Sequence, residues 1–178
     1  MLGILNKGHT SAQHANRSVV DAHMAVIFHM LRFLLKKRAL GFDKTKSKVF
    51  NFKGQEMMFY HVQYVHRLEI STYVGDDVEG VVINREPRQY ASATLVRTII
   101  NTYPHLSDYF IVEAPEGKTY SVWVRADAVD EAIRWLIYTL KERAPHLLDN
   151  FALLADENVW KAYQDFVRSL EDDKFKNN

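Results

Sequence analysis

From about Ala12 to Leu40 the hydrophobic positions recur at helical spacing. Val20, Met24, Ile27, Leu31 and Leu34 form one stripe, and Val19, Ala22, Val26 and Phe33 widen it. The polar arc is narrow: His14, Ser18, Asp21, Arg32 and Lys36, with His29 at its margin. A helix on a protein surface shows a narrower apolar face than this. The pattern therefore predicts a helix that is either central to the fold or covered by a second subunit. Gly41 is its stop signal, and Lys36, Lys37 and Arg38 occupy the last turn, where cations oppose the helix dipole.

Beyond Gly41 the period shortens to two. Lys48–Phe52 and Met57–Val65 flank the segment Lys53-Gly54-Gln55-Glu56, which reads as a β-hairpin. Arg67–Val74 predicts a third strand ending at Gly75-Asp76-Asp77, and Val81–Asn84 a fourth before Pro87. Ser92 is placed to cap a helix carrying Leu95, Val96, Ile99, Ile100 and Tyr103, stopped by Pro104. Tyr109–Glu113 and Thr119–Arg125 then bracket Ala114-Pro115-Glu116-Gly117-Lys118 as a second hairpin. Asp127 is placed to cap an amphipathic helix with Val129, Ile133, Leu136, Ile137 and Leu140 on one face, closed by Pro145. A short helix near Leu147–Ala155 follows. A last helix starts at Asp156 and carries Val159, Trp160, Tyr163, Phe166, Val167 and Leu170 on one face.

This order predicts an α+β fold. A mainly antiparallel sheet of four to six strands is packed by a long N-terminal helix, a middle helix and two to three C-terminal helices. Residues 1–11 read as a flexible lead-in and 12–178 as a single domain, with its C-terminal helical part over 127–175; repeats and linkers are absent.

Composition narrows the function classes. The 178 residues include 10 Phe, 9 Tyr and 3 Trp, too many for a chain that is mostly disordered. Without cysteine, disulfides, thiolate catalysis and cysteine-ligated metals drop out together. The net charge of +1 argues for no nucleic-acid or membrane partner by itself. Lys36–Lys53, however, holds seven basic residues and one acid, while the chain ends near Glu171, Asp172 and Asp173. Met1 to Leu5 is too short for a secretory h-region. The most apolar stretch, Val19–Leu35, is broken by Asp21, His23, His29 and Arg32, so no membrane span is expected. These features read as an intracellular, cytoplasmic protein, or one of the host cytoplasm if the chain is viral.

Candidate chemistry is scattered. Gly3 to Thr10 nearly spells a phosphate-binding loop, but His9 stands where the lysine belongs and only two residues precede Gly3, too few for the required strand. His9-Thr10-Ser11 and His105-Leu106-Ser107 are similar to the paired triplets of two-histidine phosphoesterases, which implies a histidine-dependent phosphodiesterase or nuclease as a third reading. Arg17 and His23 have a spacing that resembles the Arg-x(4–6)-His of HEPN ribonucleases. That domain is all-helical, and His23 points into the apolar arc, where a hydrogen-bonded core histidine is expected. His14, Ser18 and Asp21 share a helical face, which offers neither a nucleophile elbow nor an oxyanion hole. Glu116-Gly117-Lys118, with Asp108 upstream, has the letters of a nuclease site but the glycine of a turn. Asp76, Asp77 and Glu79 fall short of a calcium loop. No catalytic, cofactor or metal residues are assigned.

Two binding readings remain. Lys44, Lys46, Lys48 and Lys53 interleave with Phe50 and precede Tyr60, a pattern that could neutralise phosphate and stack bases in a sequence-tolerant nucleic-acid binder. The leading expectation is a non-enzymatic assembly or interaction protein acting stoichiometrically on a protein partner or on itself as a homo-oligomer. Phe28, Met30, Phe33, Tyr90, Trp160 and Tyr163 are its candidate interface anchors. At fold level alone the element order is similar to phage head–tail connector and tail-terminator subunits, and compatible with small phage-encoded inhibitors of host factors. That similarity implies a viral assembly or inhibitory role.

Overall fold

The protein is described from a computed structural model covering residues 11–65, 68–70, 77–78, 81–82, 89–115 and 119–176, with side chains over 22–63, 91–115 and 119–172. Helix α1 runs Ser11–Leu40. Strands β1 (Ser47–Phe52) and β2 (Gln55–Val65) follow as a hairpin. Short strands β3 (Leu68–Ile70), β4 (Asp77–Val78), β5 (Val81–Val82) and β6 (Gln89–Ala91) precede helix α2 (Ala93–Thr102). A second hairpin, β7 (Phe110–Glu113) and β8 (Tyr120–Arg125), leads to α3 (Val129–Arg143), α4 (Pro145–Asp149), α5 (Phe151–Leu154) and α6 (Glu157–Lys176).

The wide apolar face of α1 is resolved by enclosure within the chain. Every residue from Met24 to Leu31 is buried, His29 included, and the helix is contacted by α2, α3, α6, β2 and β3. Phe28 packs edge-on against Phe151 of α5 at 5.1 Å between centroids. Phe151 in turn stacks on Tyr163 of α6 at 4.4 Å. Two candidate anchors are thereby corrected: Phe28 and Met30 are sealed inside the chain's own core and reach no surface. Of the two outcomes the hydrophobic pattern allows, the helix is the central one. Gly41 ends it with φ +87°, a conformation that favours glycine.

The main sheet is antiparallel in the order β1-β2-β8-β7, and β3–β6 and β4–β5 form separate two-stranded pairs. The first turn is tighter than the sequence suggests. Phe52 pairs with Gln55, so only Lys53 and Gly54 turn the chain, both at positive φ (+52° and +86°), which matches the right-handed twist of the flanking strands. One face of the sheet supplies Val62, Tyr120, Val122, Val124 and Phe110 to the helix-packed core. The Tyr120 hydroxyl donates to the carbonyl of Ala91 at 2.9 Å, tying β8 to the end of β6. Burial pushes that phenol up to about 12.

Local signals explain most helix boundaries. The Ser92 hydroxyl accepts from Leu95 N at 3.1 Å and the Asp156 carboxylate accepts from Val159 N at 2.9 Å, both acting as N-caps. Asp127 does not cap α3. Its carboxylate is taken by Arg125 at 3.1 Å, Ala128 occupies the cap position, and Asp130 and Glu131 in the first turn face the dipole instead. Residues 1–10, most of the Arg67–Val74 strand and Glu116-Gly117-Lys118 lie outside the described residues. Truncating Phe28 to Ala is expected to destabilise the fold by about 3–5 kcal/mol, measured as a shift in the urea midpoint at unchanged slope; a loss below 1 kcal/mol would contradict the enclosure of α1.

Candidate interaction surface

The second face of the main sheet carries its own apolar cluster. Along β1 the alternation puts Lys48, Phe50 and Phe52 on one side, opposite Phe59, Met57 and Gln55 of β2. Next to them on β8 stand Arg125 and Trp123, the latter paired with His61. Phe59 is fully buried there, with Phe50 and Phe52 edge-on to it at 5.4 and 5.3 Å. Phe50 also meets Trp123 at 5.4 Å, and His61 meets Trp123 at 5.0 Å. Two ion pairs cross this face from one sheet edge to the other: Lys48 of β1 with Glu113 of β7 at 2.5 Å, and Lys53 of the first turn with Asp108 just before β7. In a flat four-stranded sheet those edges lie about 14 Å apart. The pairs therefore mark a sheet curled over its aromatic cluster.

That arrangement divides the six residues assigned to nucleic acid. Phe50 belongs to the curled face, whereas Tyr60 lies on the opposite face, stacked on Phe42 at 4.8 Å. Lys48 and Lys53 are engaged by carboxylates and lie over the rings of Phe50 and Phe52. Lys44 and Lys46 sit exposed in the turn before β1. Hydrogen bonds from Thr45, and then the charges of Lys46 and Lys37, hold the Asp43 carboxyl below its usual range. The structure thus does not assemble Lys44, Lys46, Lys48, Lys53, Phe50 and Tyr60 into one surface.

The histidines have separate surroundings. His23 Nδ1 meets the Tyr103 hydroxyl at 2.9 Å, the partnered environment expected of it, and burial lowers its pKa. His61 Nε2 lies 3.2 Å from Ser121 Oγ; burial lowers its pKa, and Lys37 and Lys46 add to the effect. His105 has left-handed backbone (φ +66°), lies against the Trp135 ring in a tilted arrangement at 4.1 Å, and places Nδ1 3.2 Å from Asp108 Oδ2. Its sequence counterpart His9 lies outside the described residues, as do the side chains of His14, Ser18 and Asp21. Among the described residues no group of three or more His, Asp or Glu is arranged to hold a metal ion. No helix among them is long and apolar enough to cross a membrane.

A furrow runs between the C-terminal half of α1 and the start of α6. At one end a hollow of about 230 Å³ is lined by Arg32, Phe33, Lys36, Asp156 and Val159. At the other, about 400 Å³ is lined by Lys36, Leu40 and Ala39 from α1 and by Val159, Ala162, Lys161 and Asp165 among others from α6. Lys36 and Val159 line both, so the two hollows lie side by side along the furrow. Phe33 remains 39% exposed and Leu40 76% exposed. Seven residues apart, they stand on one stripe of the helix. Of the other anchors, Trp160 and Tyr163 are half-buried against Phe151, and the side chain of Tyr90 lies outside the described residues. Leu40, with Val49 and Met58 exposed opposite each other on the first hairpin, is absent from the sequence-based set. Sequence pattern alone does not mark them as exposed, because that depends on which elements the fold leaves uncovered.

Beneath the furrow, Arg32 donates to the carbonyl of Leu154 at 2.8 Å, lies over the Phe28 ring at 5.2 Å and touches Nδ1 of buried His29. The chain matches no family model, no curated protein and no solved structure.

Burial, and secondarily the Arg32 charge, lower the His29 pKa to about 4. The folded state thus favours neutral imidazole, whereas the unfolded chain takes up a proton near pH 6.5. The contribution is fully present above pH 6.5 and fades as pH falls toward 4, by roughly 3 kcal/mol. Urea midpoints at pH 7, 5.5 and 4 are expected to converge between wild type and His29→Gln as pH falls; parallel curves would refute the assignment.

Proposed function

We propose that this protein acts stoichiometrically, through surface contact with a protein partner, rather than by turnover. The observation that carries this reading is the furrow between α1 and α6. It is walled by two helices, floored by Val159 and Ala162 and edged by Phe33 and Leu40, side chains that the core leaves uncovered on a rigid frame. Apolar groups collected in a groove with charged margins are what protein interfaces use. A phage head–tail assembly subunit and an inhibitor of a host factor are both proteins of this kind, and a cytoplasmic location, the host's if the chain is viral, goes with either. The cysteine-free sequence supports that location.

A nucleic-acid role is the alternative, resting on Lys44 and Lys46 with nearby Lys37 rather than on the six residues first grouped. The Lys44→Glu/Lys46→Glu double variant is expected to abolish any low-salt retention of single-stranded DNA; unchanged retention would remove this alternative.

The leading reading is tested by a photo-crosslinking amino acid placed at Leu40 or Phe33 in the native cell. A single discrete adduct from these positions is expected, with far less from Leu153, which is exposed but outside the furrow. Absence of any discrete adduct would defeat the proposal.

A further inference from the structure

We infer that the occupant of the α1/α6 furrow is a second copy of this chain, paired through a two-fold axis that crosses the furrow near Lys36 and Val159. This identification rests on the reading of the furrow as a contact surface and names its partner.

The earlier ground for self-association, a first helix apolar around its circumference, is gone, since the chain itself encloses that helix. The furrow supplies a different ground: it carries both halves of a self-complementary contact. A two-fold interface uses the same patch on both copies, so the patch must hold projections and the recesses that receive them. Leu40, 76% exposed, and Phe33, 39% exposed, are the projections; the hollows beside Val159 and Ala162 are the recesses. Both projections stand on α1 at a spacing of seven residues, the repeat by which one helix seats into the groove of a neighbouring pair.

Charge points the same way. The furrow's lining holds Arg32, Lys36 and Lys161 against Asp156 and Asp165, a nearly balanced set that favours neither a strongly basic nor a strongly acidic partner. Both signs stand at each end: Arg32 and Asp156 at the Phe33 end, Lys161 and Asp165 at the Leu40 end. A two-fold axis across the middle brings opposite ends together. Leu40 of each copy then enters beside Phe33 of the other, and Asp156 and Arg32 face Lys161 and Asp165 of the other, so that each charge finds an opposite one. Lys36, near the axis, keeps its ammonium in water at the margin. The whole chain carries only +1, so repulsion between copies is slight.

The absence of cysteine gives a direct test. In sedimentation experiments from 1 to 200 µM, wild type is expected to reach twice the 20.7 kDa chain mass, with Leu40→Asp weakening the association at least tenfold and Leu153→Asp leaving it unchanged. A mixture of Phe33→Cys and Leu40→Cys chains is expected to form a disulfide-linked dimer under mild oxidation much faster than Leu153→Cys chains do. Circular dichroism verifies that each variant folds. A wild type that stays monomeric to 200 µM, or equal crosslinking from Cys at 153, overturns the pairing. If the Leu40 photo-adduct then has a mass other than twice the chain, the contact surface stands and only the second copy is lost; if no adduct forms at all, the surface reading itself has failed.

Discussion

The fold depends on enclosing one helix from every side. A helix with eight consecutive buried residues, Met24 to Leu31, cannot lie on a surface, so the remaining elements are arranged around it. The sheet lends one face through Val62, Val122 and Val124, while α2, α3 and α6 take the other sides. The shortest helix follows from the same demand: α5 delivers Phe151 to Phe28, and Trp160 and Tyr163 of α6 close over Phe151. The polar groups next to the enclosed part of α1 are consequently accommodated within the chain. Arg32 reaches a carbonyl and an aromatic face, and His29 is held neutral. Past Leu31 this enclosure is incomplete, and from Arg32 and Phe33 onward one side of α1 faces the furrow it forms with α6.

The sheet solves a second problem with different means. Its outer face cannot share the helical core, yet it bears Phe50, Phe52, Phe59 and Trp123. Curling the sheet and crossing it with two lysine–carboxylate pairs lets these rings bury one another. Exposed pairs of this type contribute little to stability individually. Their role is geometric, since they bind the first hairpin to the segment leading into β7. The same pairing withdraws Lys48 and Lys53 from any polyanion, so the basic stretch Lys36–Lys53 is less available than its charge suggests.

Much of this was legible in the order of residues. The extent of α1, the hairpins, the caps at Ser92 and Asp156 and the α+β class follow from periodicity and from side chains acting within three or four positions. Asp127 was misread because a cap and an ion-pair partner look alike in sequence, and Arg125, two residues earlier, competes for the carboxylate. The opposition of Phe50 and Tyr60 was also legible: with a two- or four-residue loop around Gly54, position 60 pairs with an odd-numbered residue of β1, so its face excludes Phe50. What could not be read was which elements end at which edge. The partners of Lys48 and Lys53 lie 65 and 55 residues away, and the exposure of Leu40 depends on a helix more than a hundred residues later. Phe28 and Met30 failed as anchors for the same reason, because burial inside the chain and burial between chains have one sequence signature.

The position of α1 has a consequence for biosynthesis. It is the first described element to leave the ribosome, yet α6, one of its walls, is among the last. At translation rates of about 5–20 residues per second, the apolar helix waits on the order of ten seconds before that wall exists. Throughout that interval its surface is exposed to every chaperone and to every neighbouring nascent chain, so yield in the cell is governed by how well this waiting helix is shielded.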